Sequence, residues 1–148
     1  MTAIAVGLAV AAGLAGAVQA AVMGELGERA GVFPALAFSG IVAVVLGMAL
    51  LLLAKQSFRG LGDVVRQPLW LWTGGALSIL IILAITVATP RIGVAPTIGI
   101  IIAFNLAVAA LIDRFGWFGL DRVSLGWTRI LGLVLLGAGA ALTLAKHG

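Results

Sequence analysis

Five stretches of this chain, at about residues 3–23, 32–54, 69–89, 92–112 and 127–145, are almost wholly apolar and carry no charge in their interiors. Each is about 20 residues long. A helix rises 1.5 Å per residue, so such a run reaches across a hydrocarbon layer of about 30 Å. In lipid the backbone must satisfy its own N–H and C=O groups, which leaves helices or a closed barrel. Barrel strands would alternate polar and apolar residues, and ILIILAI (79–85) and IGIIIAF (98–104) do not. Charged residues are only 9% of the chain, against about 25% in a soluble domain, so no soluble core accounts for it. The pattern predicts an all-α membrane protein, a bundle of five transmembrane helices filling a single domain over 1–148. The first run has a loose cleavage-site pattern, VQA at 18–20. Its leading residues MTAIAVG hold no Lys or Arg, which favours a retained helix over a signal peptide.

The same composition excludes most chemistry. There is no cysteine, no tyrosine and a single histidine, His147, in the tail. No nucleophile with a base, no metal-ligand cluster and no phosphate-binding glycine loop can be found. The reading is therefore a non-enzyme with no cofactor and no metal. The net charge of +4 is read as loop charge facing anionic lipid, not as a nucleic-acid surface.

With five spans the termini lie on opposite sides. The N-terminal side receives Lys55, Arg59, Arg66, Arg114, Arg122 and Arg129; the other receives Arg29, Arg91 and Lys146. The excess of basic residues predicts a cytoplasmic N-terminus. Trp70, Trp72, Trp117 and Trp127 fall at boundaries on that same side, where an interfacial belt of indoles is expected. A substrate-stacking role for Trp72 is the functional alternative.

Small residues recur at four-residue spacing: Gly13, Ala17 and Ala21; Gly99, Ala103 and Ala107; Gly137, Ala141 and Ala145. Such rows let helix backbones approach closely, either within one subunit or between subunits. ATPRIGVAP, residues 88–96, reads as a tight turn in which Pro90 ends one helix and Pro96 opens the next, and Pro34 plays the opening part for the second helix. No internal repeat is read from the sequence.

The informative positions are polar residues inside the spans: Gln19, Ser39, Ser78 and Asn105. A serine can bond a carbonyl of its own helix. An amide needs a partner across helices or a wet cavity. The readings left open are interhelical hydrogen bonding and a polar binding site. Glu25 and Asp113 sit near span ends, as helix-end charges or as proton-coupling groups.

WLWTGG (70–75), TPRIGVA (89–95), DRFGWFGLDRVSL (113–125) and GLVLLGAGAAL (132–142) together resemble the bacterial five-helix inner-membrane exporters of the drug/metabolite transporter superfamily. The resemblance implies a bundle like half of a ten-helix transporter. It implies export of small amphiphilic or metabolite-like solutes by alternating access, and no enzyme activity. It also implies dual topology, with a homodimer (antiparallel favoured) or an oppositely oriented paralogue as partner. Gln19 matches the family's glutamine in helix 1. The asparagine that usually follows is Met23 here, and the Gly-Gln of helix 4 is Phe104-Asn105. The resemblance thus points to Gln19 and Asn105 as substrate-binding residues; Ser78, Ser39 and Trp72 join them by residue type and position, and Glu25 or Asp113 are the candidates for proton coupling. The other reading is a non-transporting subunit that assembles with or regulates another membrane protein. A wet shared cavity for Gln19 and Asn105 separates the two.

Overall fold

In a computed structural model, residues 2–54, 59–119, 122 and 126–144 are described, and all regular structure among them is helical. The helices are α1 (Thr2–Ala30), α2 (Val32–Leu53), the short α3 (Arg59–Val65), α4 (Thr73–Ile92), α5 (Val94–Phe115) and α6 (Trp127–Leu144). One 3-10 turn, Leu69–Trp72, leads into α4, and another, Trp117–Gly119, follows α5. Lys55 and Lys146, counted above for orientation, and His147 lie outside the described residues.

Among the described residues four segments are long and apolar enough to cross a membrane: Ala3–Ala30, Val32–Leu53, Leu69–Ile92 and Val94–Phe115. The fifth apolar segment is shorter, Ile130–Leu144, and extends only about 22 Å as a helix. The first helix runs seven residues beyond the expected boundary at 23, through Glu25, Glu28 and Arg29. The charges do not end it because Glu25 and Arg29, one turn apart, pair along the helix. What ends it is Gly31, at φ 90°, which reverses the chain in one residue and starts α2. Pro90 does not end α4 either. It sits in the last turn, two residues before the end at Ile92, and Gly93 at φ 89° makes the break.

The chain divides into two units, Val22–Pro90 and Met1–Ala21 with Arg91–Gly148. In the first, the end of α1 lies against the end of α4. A Cβ on Gly24 would stand 2.8 Å from Cγ2 of Thr89, and one on Gly27 would stand 2.5 Å from Cγ2 of Thr86. Only glycine fits at either place. Thr86 is fully buried and its hydroxyl donates to the Ile82 carbonyl at 2.8 Å. Pro90 has no N–H, so the Thr86 carbonyl loses its usual helical donor; Gly27 approaches that carbonyl, its absent Cβ lying 3.5 Å away.

In the second unit α5 packs on α6. Gly99 faces Ala140, and a Cβ on Gly99 would meet that of Ala140 at 3.4 Å. Ala110 and Ala140 are buried. Of the small-residue rows, Gly99 makes a contact inside one subunit at this helix pair, whereas a Cβ on Gly137 or Gly13 would meet nothing within 4 Å. α5 ends on Gly116 in the left-handed region, whose N–H closes on the Ile112 carbonyl at 2.8 Å. Beyond it the rings of Phe115 and Trp117 stack at 5.4 Å.

The contact at Gly27 makes a specific prediction. Gly27→Ala should lower stability by about 1–3 kcal/mol through overpacking. Adding Thr86→Ala removes Cγ2 and leaves 3.9 Å to the Cβ of residue 86, an ordinary contact, so the double variant should recover most of the loss. Thermal unfolding of the purified protein in mild detergent measures both; no recovery in the double variant would contradict the packing described.

Candidate functional site

The two amides stand on helices that offer them nothing. Gln19 is exposed on α1, although its neighbour Ala20 is fully buried. Asn105 is exposed on α5 beside Phe104, which is 70% exposed. Neither side-chain amide has a hydrogen-bond partner among the described residues, and no bond joins the two. Each amide brings two donors and an acceptor.

The serines behave differently from the amides. Ser78 donates to the Gly74 carbonyl at 2.9 Å, so its hydroxyl is satisfied within its own helix. Ser39 is half-buried on α2. Trp72 is 46% exposed and lines a recess of about 480 Å³ with Val64, Val65, Gln67, Leu71 and Gly75. The recess forms because α3 and the 3-10 turn fold back beside the start of α4. One wall is polar: Gln67, whose Nε2 donates to the Asp63 carbonyl at 3.3 Å.

The two carboxylates differ in setting. Glu25 accepts from Arg29 Nε at 2.5 Å, with both side chains more than half exposed. The pair leaves Glu25 as a helix-surface group in one chain. Asp113, in the last turn of α5, is half-buried and already engaged. Among the described residues no group of three His, Cys, Asp or Glu could hold a metal ion.

Two features were missed in the sequence. One is a wholly apolar groove of about 380 Å³ along α5 and α6, lined by Ile100, Ala103, Phe104, Ala107, Leu133 and Gly137 among others. It follows from the small-residue rows, which bring backbones together at Gly99 and leave a trough beside the larger side chains. The other is the set of buried threonines, Thr86, Thr89 and Thr97. Thr97 donates to the Gly93 carbonyl at 2.7 Å. Thr89 Oγ1 is the one fully buried side-chain oxygen without a partner among the described residues. The available signal was their place one turn either side of the Pro90–Gly93 break.

An exposed i, i+4 pair contributes little. Glu25→Gln should therefore shift stability by less than about 0.5 kcal/mol. Thermal unfolding of the variant in detergent tests this, and a larger loss would show that Glu25 is covered in the assembled protein.

The chain matches, over residues 4–142, the family described as "Putative inner membrane exporter, YdcZ". It belongs to that family. No curated protein and no solved structure shows significant similarity to the chain.

Proposed function

We propose that this inner-membrane exporter is a secondary transporter of small amphiphilic or metabolite-like solutes that works by alternating access as a dimer. Family membership supports export across the inner membrane. The observation that carries the finer reading is the pair of amides, Gln19 and Asn105, exposed and unpartnered on apolar helices. An amide left in hydrocarbon without a hydrogen bond costs roughly 2–7 kcal/mol. A second subunit that encloses the two faces around water removes that cost and creates a polar site near the middle of the membrane. Transporters commonly place the site there, between two halves of opposite topology. In this reading the spans of residues 1–148 supply one half. Its partner is a second copy, antiparallel in the favoured arrangement, or an oppositely oriented paralogue.

In this reading α6 completes five spans, its short apolar length drawn in by packing against α5. Trp72 and its recess sit at the membrane boundary where an amphiphile enters, and Ser39 and Ser78 extend the polar lining. Glu25 and Asp113 are the carboxylates available to couple protons to this cycle. A non-transporting assembly subunit would instead have both amides tied to a partner protein and a dry interior.

Purified protein reconstituted in vesicles tests the reading, with ethidium and a zwitterionic amphiphile as probes. Gln19→Leu and Asn105→Leu should both fold, and each should lower probe transport or binding about tenfold or more, the loss of one well-placed hydrogen bond to a charged or polar group. Variants that fail to dimerise but still bind normally would make the amides structural glue. Opposite outcomes for the two would separate them.

The basic residues predict the orientation. Thiol labelling of cysteines placed at Thr2 and Gly148 should find the first cytoplasmic and the second outside. Equal labelling of each from both sides would establish dual insertion.

A further inference from the structure

The turn between α1 and α2 and the turn between α4 and α5 are copies of one motif. Arg29-Ala30-Gly31-Val32-Phe33-Pro34 and Arg91-Ile92-Gly93-Val94-Ala95-Pro96 share Arg, Gly, Val and Pro at an offset of 62 residues, from Gly31 to Gly93. The two glycines share a conformation, φ 90° and ψ 151° against φ 89° and ψ 163°. Each glycine carbonyl accepts from the N–H four residues on, Ala35 at 3.1 Å and Thr97 at 3.3 Å. In each, the proline ring stands 3.5 Å from where a glycine Cβ would be.

The likeness extends into packing. Met23, Gly24, Gly27 and Ala35 are buried around the first turn, and Ile85, Thr86, Thr89 and Thr97, at the same offset, around the second. The contacts between the copies are reciprocal: Gly24 receives Thr89 and Gly27 receives Thr86, while Gly24 corresponds to Thr86 and Gly27 to Thr89. That exchange is the mark of a local two-fold relation, as at an isologous interface. One copy supplies holes and the other supplies methyl knobs. The repeat is direct, helix–glycine–helix twice, so it does not replace the inverted second half that a transporter needs.

We infer that this glycine–threonine crossing is the fixed pivot of the transport cycle. The inference rests on the transport reading above. Two observations carry it. First, the contacts that join α1 to α4 here, Gly24 with Thr89 and Gly27 with Thr86, are steric, and the Glu25–Arg29 pair lies along α1 itself. The crossing is close packing of backbone on methyl groups, and packed surfaces of this kind move as a body or not at all. Second, a single residue joins the helices at this end, Gly31 or Gly93, so they cannot part there. At their other ends α2 is separated from α4 by residues 54–72, and α5 from α6 by 116–126. Burial follows the same division: within Val22–Pro90 the buried residues are all at the turn end, while residues 40–50 of α2 and 73–81 of α4 are exposed. Opening motion therefore belongs to the long-loop ends.

Spin-label distances in the full-length chain, reconstituted in lipid nanodiscs with and without ethidium, test the inference. The chain lacks cysteine, so labels attach only where placed. One pair, Glu28→Cys with Ala84→Cys, flanks the crossing; the other, Leu50→Cys with Leu77→Cys, lies toward the long-loop end. All four positions are exposed. The first pair should give one narrow distance in both conditions. The second should give two distances, or one about twice as broad that shifts with ethidium. Two distances at the first pair, or a shift there as large as at the second, would overturn the pivot and leave transport standing. A single narrow distance at both pairs would overturn pivot and transport together.

Discussion

Hydrocarbon leaves no polar group free to bond to water, and every feature of this chain answers to that constraint. The helices exist because only they satisfy a lone spanning backbone. The mid-helix hydroxyls follow the same rule: Ser78, Thr86 and Thr97 each return a proton to a carbonyl one turn earlier. Where Pro90 leaves a carbonyl without its donor, the chain brings the bare backbone of Gly27 against it. Gln19 and Asn105, with the buried Thr89 hydroxyl, are groups that one chain leaves without a partner among the described residues. Their amides are too rich in donors to satisfy locally and too far from the helix ends to reach water. The functional reading grows from that residue of unmet demand.

A second consequence concerns what holds the helices to one another. Lipid tails are as apolar as leucine, so burial of leucine between helices yields no hydrophobic gain, and association depends on close contact. The chain accordingly places its largest apolar side chains outward, Leu14, Phe33, Leu53 and Phe104 among them. Most of its buried positions are small, Ala20, Ala35, Ala110, Ala140 and the threonines, with Met23 and Ile85 the larger ones. This inverted arrangement makes the bundle tight at a few crossings and open elsewhere. A protein that must both hold together and change shape benefits from that distribution.

Much of this was legible in the sequence. The helical class follows from the runs of about 20 residues without charge, and the family from four motifs spread over most of the chain. Boundaries were less legible where a local rule competes with a stronger one. Glu25, Glu28 and Arg29 look like an exit from the membrane, yet Gly31 and not the charges ends α1. Pro90 looks like a stop, yet a proline in a last turn is tolerated and Gly93 makes the break. The motif R-x-G-V-x-P was present in plain letters and passed over, because identity at four positions carries weight only once backbone angles and burial coincide. Of the candidate site, the chemistry of Gln19 and Asn105 could be read from residue type alone. Whether they share one space depends on how the helices are placed in the assembled protein, and no periodicity records that.

The central claim is that the faces bearing Gln19 and Asn105 enclose water. It is tested most directly by solvent access in the assembled protein. Gln19→Cys and Asn105→Cys, in sealed vesicles, would be exposed to a charged, membrane-impermeant thiol reagent, with Leu14→Cys as the lipid-facing comparison. The account predicts that positions 19 and 105 react from the aqueous side and that ethidium slows both reactions, while position 14 stays inert. Labelling at neither 19 nor 105, with the protein folded and dimeric, would mean a dry interior and would contradict the account.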